Sequence, residues 1–154
     1  MDKDMRKWAL AICSVFLVAG TLGSLVTAED DEVDEINIWI DPSTISLNSN
    51  VESNAENDVM VTLGRNLRGM KITEENIQFI IGEDNVIGAT SARVTRTGLV
   101  QVYFDKTAIQ EYAIANNLKG DVAVTVSGSC TYEPIRGGSS GTMEFTGDSF
   151  VFFR

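Results

Sequence analysis

The chain has 154 residues, 12 Lys and Arg against 22 Asp and Glu, a net charge of −10 and no histidine. That length allows one domain or two small ones. The missing imidazole removes Ser-His-Asp and Cys-His catalysis and the commonest zinc sites, and the acidity repels phosphate backbones, so nucleic acid is not an expected partner.

Lys3, Arg6 and Lys7 precede a run of apolar and small residues from Trp8 to Val26, and Val26-Thr27-Ala28 closes it with small side chains. A basic start, an apolar middle and a small-residue exit make a secretory signal peptide, with cleavage expected after Ala28. The run is long for a signal, so a membrane anchor retained over residues 8–28 is the alternative. Cys13 lies before most of that run and follows Ile12, which argues against lipidation. Removing residues 1–28 takes away three bases and two acids, leaving nine bases, twenty acids and a net charge of −11. The one cysteine left, Cys130, has no partner for an internal disulfide. It is expected as a small buried strand residue, with an intermolecular bridge as the sharper alternative.

Glu29 to Glu35 reads EDDEVDE, an acidic leader expected to lack fixed structure. The folded domain is therefore expected over residues 36–154. Ile36, Ile38 and Ile40 alternate with Asn37, Trp39 and Asp41, the period of a half-buried strand. Asp41-Pro42-Ser43 breaks the strand and Thr44 to Leu47 resumes it, so this first strand is expected to jump between two sheets at the proline. Asn48 to Asn57 reads as a polar loop. Val59, Val61 and Leu63 mark a second strand, and Gly64 to Gly69 a turn region. Ile72 to Asn76 is expected to form one helical turn capped by Thr73. Ile77 to Ile81 is a third strand, ended by Gly82-Glu83-Asp84-Asn85. Thr90 to Thr95 and Leu99 to Phe104 form a hairpin across Arg96-Thr97-Gly98.

Asp105 to Leu118 is the one good helical segment, with Asp105 as its N-cap and Ala108, Ile109, Tyr112, Ala113 and Leu118 at helical spacing. Val122, Val124 and Val126 then alternate as a strand. Gly128 to Gly141 reads as an irregular glycine-rich loop with a short strand near Cys130 to Tyr132. Met143 to Phe145 and Phe150 to Phe153 close the domain, with a turn or bulge at Gly147-Asp148. About seven short strands and one short connecting helix predict an all-β sandwich.

Four stretches carry a family resemblance: Ile36-x-Ile-x-Ile-Asp-Pro-x-Thr-Ile-x-Leu-x-Ser49, Val102-x-Phe-Asp-x-x-x-Ile109, Gly120-Asp-Val-x-Val-Thr-Val-x-Gly128 and Phe145-x-Gly-Asp-x-Phe150. Together they resemble the small Ig-like β-sandwich modules of secreted and cell-surface proteins of archaea and bacteria. The likeness covers most of residues 36–153. Residues 48–58 are longer and more polar than that pattern, and residues 129–144 carry a larger loop. The resemblance implies an accessory or structural module with no enzyme activity.

Gly137-Gly138-Ser139-Ser140-Gly141 lacks the Lys and following helix of a phosphate loop. Asp41, Asp105, Asp121 and Asp148 each stand at an expected strand end, where Asp serves turns by bonding nearby amides; a hydrolase using paired carboxylates is the least favoured reading. Calcium is a candidate ligand for Asp30, Asp31, Asp34 and Glu35 and for Glu83, Asp84 and Asn85, because hard cations take several oxygens. No other cofactor is expected. Trp39, Tyr103, Tyr132 and Phe153 are candidates for an aromatic platform that stacks on sugar rings. The functional expectation is a secreted or surface-tethered, non-catalytic structural or adhesive protein. Its partners would be other surface proteins or its own copies, with strand exchange by residues 29–40 as one route. A carbohydrate- or calcium-binding module is the alternative.

Overall fold

Alternation of apolar and polar residues drives most of the described residues into strands, because successive side chains of an extended backbone point to opposite faces. The structure, a computed structural model, describes residues 33–47, 58–83 and 85–154. Among these residues there are ten strands and one helix. The strands are β1 (Asp34–Glu35), β2 (Ile38–Asp41), β3 (Thr44–Ile45), β4 (Val59–Asn66), β5 (Met70–Ile81), β6 (Asn85–Gly88), β7 (Ser91–Val94), β8 (Leu99–Phe104), β9 (Gly120–Pro134) and β10 (Gly141–Phe153). Helix α1 (Lys106–Ala115) joins β8 to β9.

Two sheets form. The larger runs β1-β10-β9-β5-β6, with β3 also pairing along β10; the smaller runs β2-β4-β8-β7. Ile38, Ile40, Val59, Val61, Leu63, Val100, Val102 and Phe104 bury one face of the smaller sheet. Ile45, Ile77, Phe79, Ile81, Val124, Val126, Phe145, Val151 and Phe153 bury one face of the larger. The two faces share one hydrophobic core, and Phe79 of β5 meets Phe104 of β8 across it with ring centroids 5.3 Å apart. The result is an all-β sandwich, as the alternation predicts.

The first segment does change sheets. β2 pairs antiparallel with β4 in the smaller sheet, and after the cis Asp41–Pro42 peptide β3 pairs parallel with Phe152 and Phe153 of β10 in the larger. Order starts earlier than the composition suggests: Asp34 and Glu35 pair parallel with Phe145 and Thr146, and Asp34 holds Arg65 at 3.1 Å. Backbone pairing along β10 outweighs the local acidity there. Residues 29–32 of the leader and the polar loop at 48–57 lie outside the described residues, as do the expected signal and anchor.

The helix follows its local signals. Asp105 Oδ1 accepts from the Thr107 amide at 2.8 Å, which satisfies one of the free amides of the first turn. Ile109 and Ala113 enter the core with Gln110, whose Nε2 donates to the Ser46 carbonyl at 2.7 Å.

Two expectations are corrected. Ile72 to Asn76 is not a helical turn. It is the middle of β5, with a bulge between Ile72 and Glu74 in the ladder to β9. Thr73 caps no helix; its Oγ1 donates to the Thr131 carbonyl at 3.2 Å. Glu75 Oε2 accepts from the Ile77 amide at 3.2 Å. A long-range ladder overrides a local capping signal there. Gly128 to Gly141 is likewise mostly strand. β9 and β10 form an uninterrupted antiparallel ribbon from Gly120↔Phe153 to Tyr132↔Gly141, so the loop shrinks to residues 135–140. Gly147-Asp148 lies inside β10 instead of making a turn. Glycine there serves close approach: a Cβ on Gly147 would stand 2.8 Å from the Ile36 carbonyl oxygen, where the first segment passes over β10.

Candidate binding face on the four-stranded sheet

The residues between the buried positions of the smaller sheet point away from the core. On β2 these are Trp39 and Asp41; on β4, Met60 and Thr62; on β8, Gln101 and Tyr103; on β7, Ser91 and Arg93. Register arranges them in two rows across all four strands. Trp39 stands opposite Thr62, Thr62 opposite Gln101, and Gln101 opposite Arg93. The neighbouring row is Asp41, Met60, Tyr103 and Ser91. Strand spacing puts about 14 Å between the two ends of a row.

One half of this face is tied together by its own hydrogen bonds. Gln101 Oε1 accepts from Arg93 Nε at 3.1 Å, from Arg93 Nη2 at 3.0 Å and from the Tyr103 hydroxyl at 3.1 Å. The Arg93 guanidinium also lies 5.3 Å from the Tyr103 ring centroid, a cation–π contact. With Oε1 taken by three donors, the Gln101 amide nitrogen is left with two hydrogens to donate. The other half is a free aromatic surface: Trp39 is 58 % exposed at the sheet edge.

The aromatic candidates therefore divide. Trp39 and Tyr103 share this face, while Tyr132 does not. Tyr132 packs against the core on the inner side of the larger sheet, with its ring over Gly141. Phe153 is buried in that core. The exposed Trp39 does not shield a second core, because nothing described lies over it. Thr62, Gln101 and Arg93 were not singled out from the sequence. Each stands between two inward apolar residues, so its outward direction was readable there; its alignment with Trp39 was not.

Of the two acidic stretches weighed for calcium, the described residues are Asp34, Glu35, Glu83 and Asn85. Asp34 sits on β1 at one edge of the larger sheet, paired with Arg65, and Glu83 follows β5 near the opposite edge. Asp30, Asp31 and Asp84 lie outside the described residues. Among the described residues no three His, Cys, Asp or Glu side chains gather as a metal would need. Asp105 is used by the helix cap, and Asp148 Oδ1 accepts from the Thr125 hydroxyl at 2.6 Å.

The outer face of the larger sheet carries a second, more apolar surface. Phe150 is 64 % exposed and Phe152 41 %, with Val86 also exposed. Ile80, Gly82, Ala123, Thr125, Asp148 and Phe150 line a shallow groove there. No match to the chain is found among protein-family models, curated proteins or solved structures.

Proposed function

We propose that the chain is a non-catalytic adhesive or structural module of the cell surface, secreted or tethered through residues 8–28. In this reading it is an Ig-like accessory domain that holds its partner on the outer face of the four-stranded sheet. The observation that carries the reading is the exposed Trp39 ring in one row with a pre-organised Gln101–Arg93 pair. Groups already fixed before binding lose little conformational entropy on contact, so such a face suits recognition. A flat sheet face holds a large partner without enclosing it. Strand exchange is the less favoured route, because Asp34–Glu35 and Ile38–Asp41 are paired within their own chain.

Two measurements test this together. Fractionation with N-terminal sequencing is expected to recover the protein at the cell surface or in the medium, starting at Glu29 or retaining residues 8–28. Binding of the full chain to cell-envelope preparations is expected to weaken at least about tenfold in Trp39→Ala. Recovery in the cytosol, or unchanged envelope binding by the variant, would overturn the reading.

A further inference from the structure

We infer that the row Trp39, Thr62, Gln101, Arg93 is a subsite for an uncharged glycan, with one pyranose ring stacked on the Trp39 indole. This rests on the outer face of the smaller sheet being the contact surface. A pyranose has an apolar face of C–H bonds and a rim of hydroxyls. The C–H face complements the electron-rich face of an exposed indole. The rim needs donors at fixed positions beside that ring. The structure supplies them on the same row: the Gln101 amide hydrogens, the guanidinium hydrogens of Arg93 not turned to Gln101, and the Thr62 hydroxyl between them and Trp39.

Three observations favour this ligand class. The outward positions of the face carry one base, Arg93, and one acid, Asp41, so their formal charges balance. The chain as a whole is strongly acidic, which disfavours polyanions. The neighbours of Trp39 along its row are hydrophilic, whereas a protein-binding hot spot is ringed by groups that exclude water. Tyr103 acts here as a positioning residue. Its hydroxyl and ring hold Gln101 and Arg93 in place, and Arg93 occupies one face of the ring.

The test uses the full chain carrying Trp8→Phe, so that Trp39 is the sole indole. Its emission is titrated with soluble neutral polymers, a β-glucan oligosaccharide and a mannan, and with polygalacturonate and dextran sulfate. Saturable change is expected with at least one neutral polymer, independent of salt, and none with the polyanions. Calorimetric affinity is expected to fall at least about tenfold in Trp39→Ala and in Gln101→Ala, at unchanged melting temperature. Tyr103→Phe, which keeps the ring and removes only one donor to Gln101, is expected to bind more weakly than the parent and better than Gln101→Ala. Salt-sensitive binding of the polyanions alone overturns the inference, as does neutral-glycan binding that Trp39→Ala leaves intact. If no polymer binds while Trp39→Ala still abolishes envelope binding, the glycan assignment fails and the contact face stands, with a protein as its partner. If envelope binding is also unchanged, both fail.

Discussion

Cys130 stands on the inner face of β9, opposite Glu75 on one side and Met143 on the other. Burial, and then the nearby Glu75 carboxylate, push its thiol above the ordinary value of 9.0. The folded chain therefore keeps this proton at a pH where the unfolded chain has released it. Stability from this group is fully present below the ordinary thiol value and is lost as pH rises through the higher folded value. Urea denaturation at neutral and alkaline pH is expected to show a shallower alkaline decline in Cys130→Ala than in the parent. Alkylation of the native thiol is expected to be slow and to become fast on unfolding. An equal alkaline slope in both proteins would contradict the assignment. Its location was readable from the sequence only as a small strand residue. The facing Glu75 was not, because that segment looked helical.

At the scale of elements, the sequence misjudged the β9–β10 ribbon because it used glycines as turn signals. Gly128 lies within the ladder at φ +152°, where β5 approaches so closely that a Cβ would overlap the Asn76 carbonyl oxygen and stand 2.7 Å from the Ile77 Cα. The residue is needed for contact between strands, not for a change of direction. Gly128→Ala is expected to cost on the order of 2 kcal/mol or more in chemical denaturation. A cost near zero would mean that β5 and β9 separate easily at this point. Asp105 shows the opposite case. Its cap depends on residues within two positions in sequence, so it was legible before the fold was known.

At the scale of the molecule, the two sheets are joined by a shared core rather than by a disulfide, since Cys130 is a buried free thiol. Phe79 and Phe104 are fully buried, come from different sheets and touch. Phe79→Ala and Phe104→Ala are each expected to cost about 3–5 kcal/mol. The double variant should lose less than the sum, because both truncations open the same space. A denaturant-based double-mutant cycle checks this; strict additivity would show that the sheets do not pack through this pair.

The sequence by itself determined which residues of most strands face inward. Val59, Val61 and Leu63, and Val100, Val102 and Phe104, are such sets, because alternation is a local property of an extended backbone. The same rule assigned Trp39 to the opposite face from Ile38 and Ile40. Only the tertiary structure decided that Ile72 to Asn76 is extended, that Tyr132 stands apart from Trp39, and that Trp39, Thr62, Gln101 and Arg93 form one row. These outcomes depend on register between segments far apart in the chain, and register is set by hydrogen bonds and packing that no single segment contains.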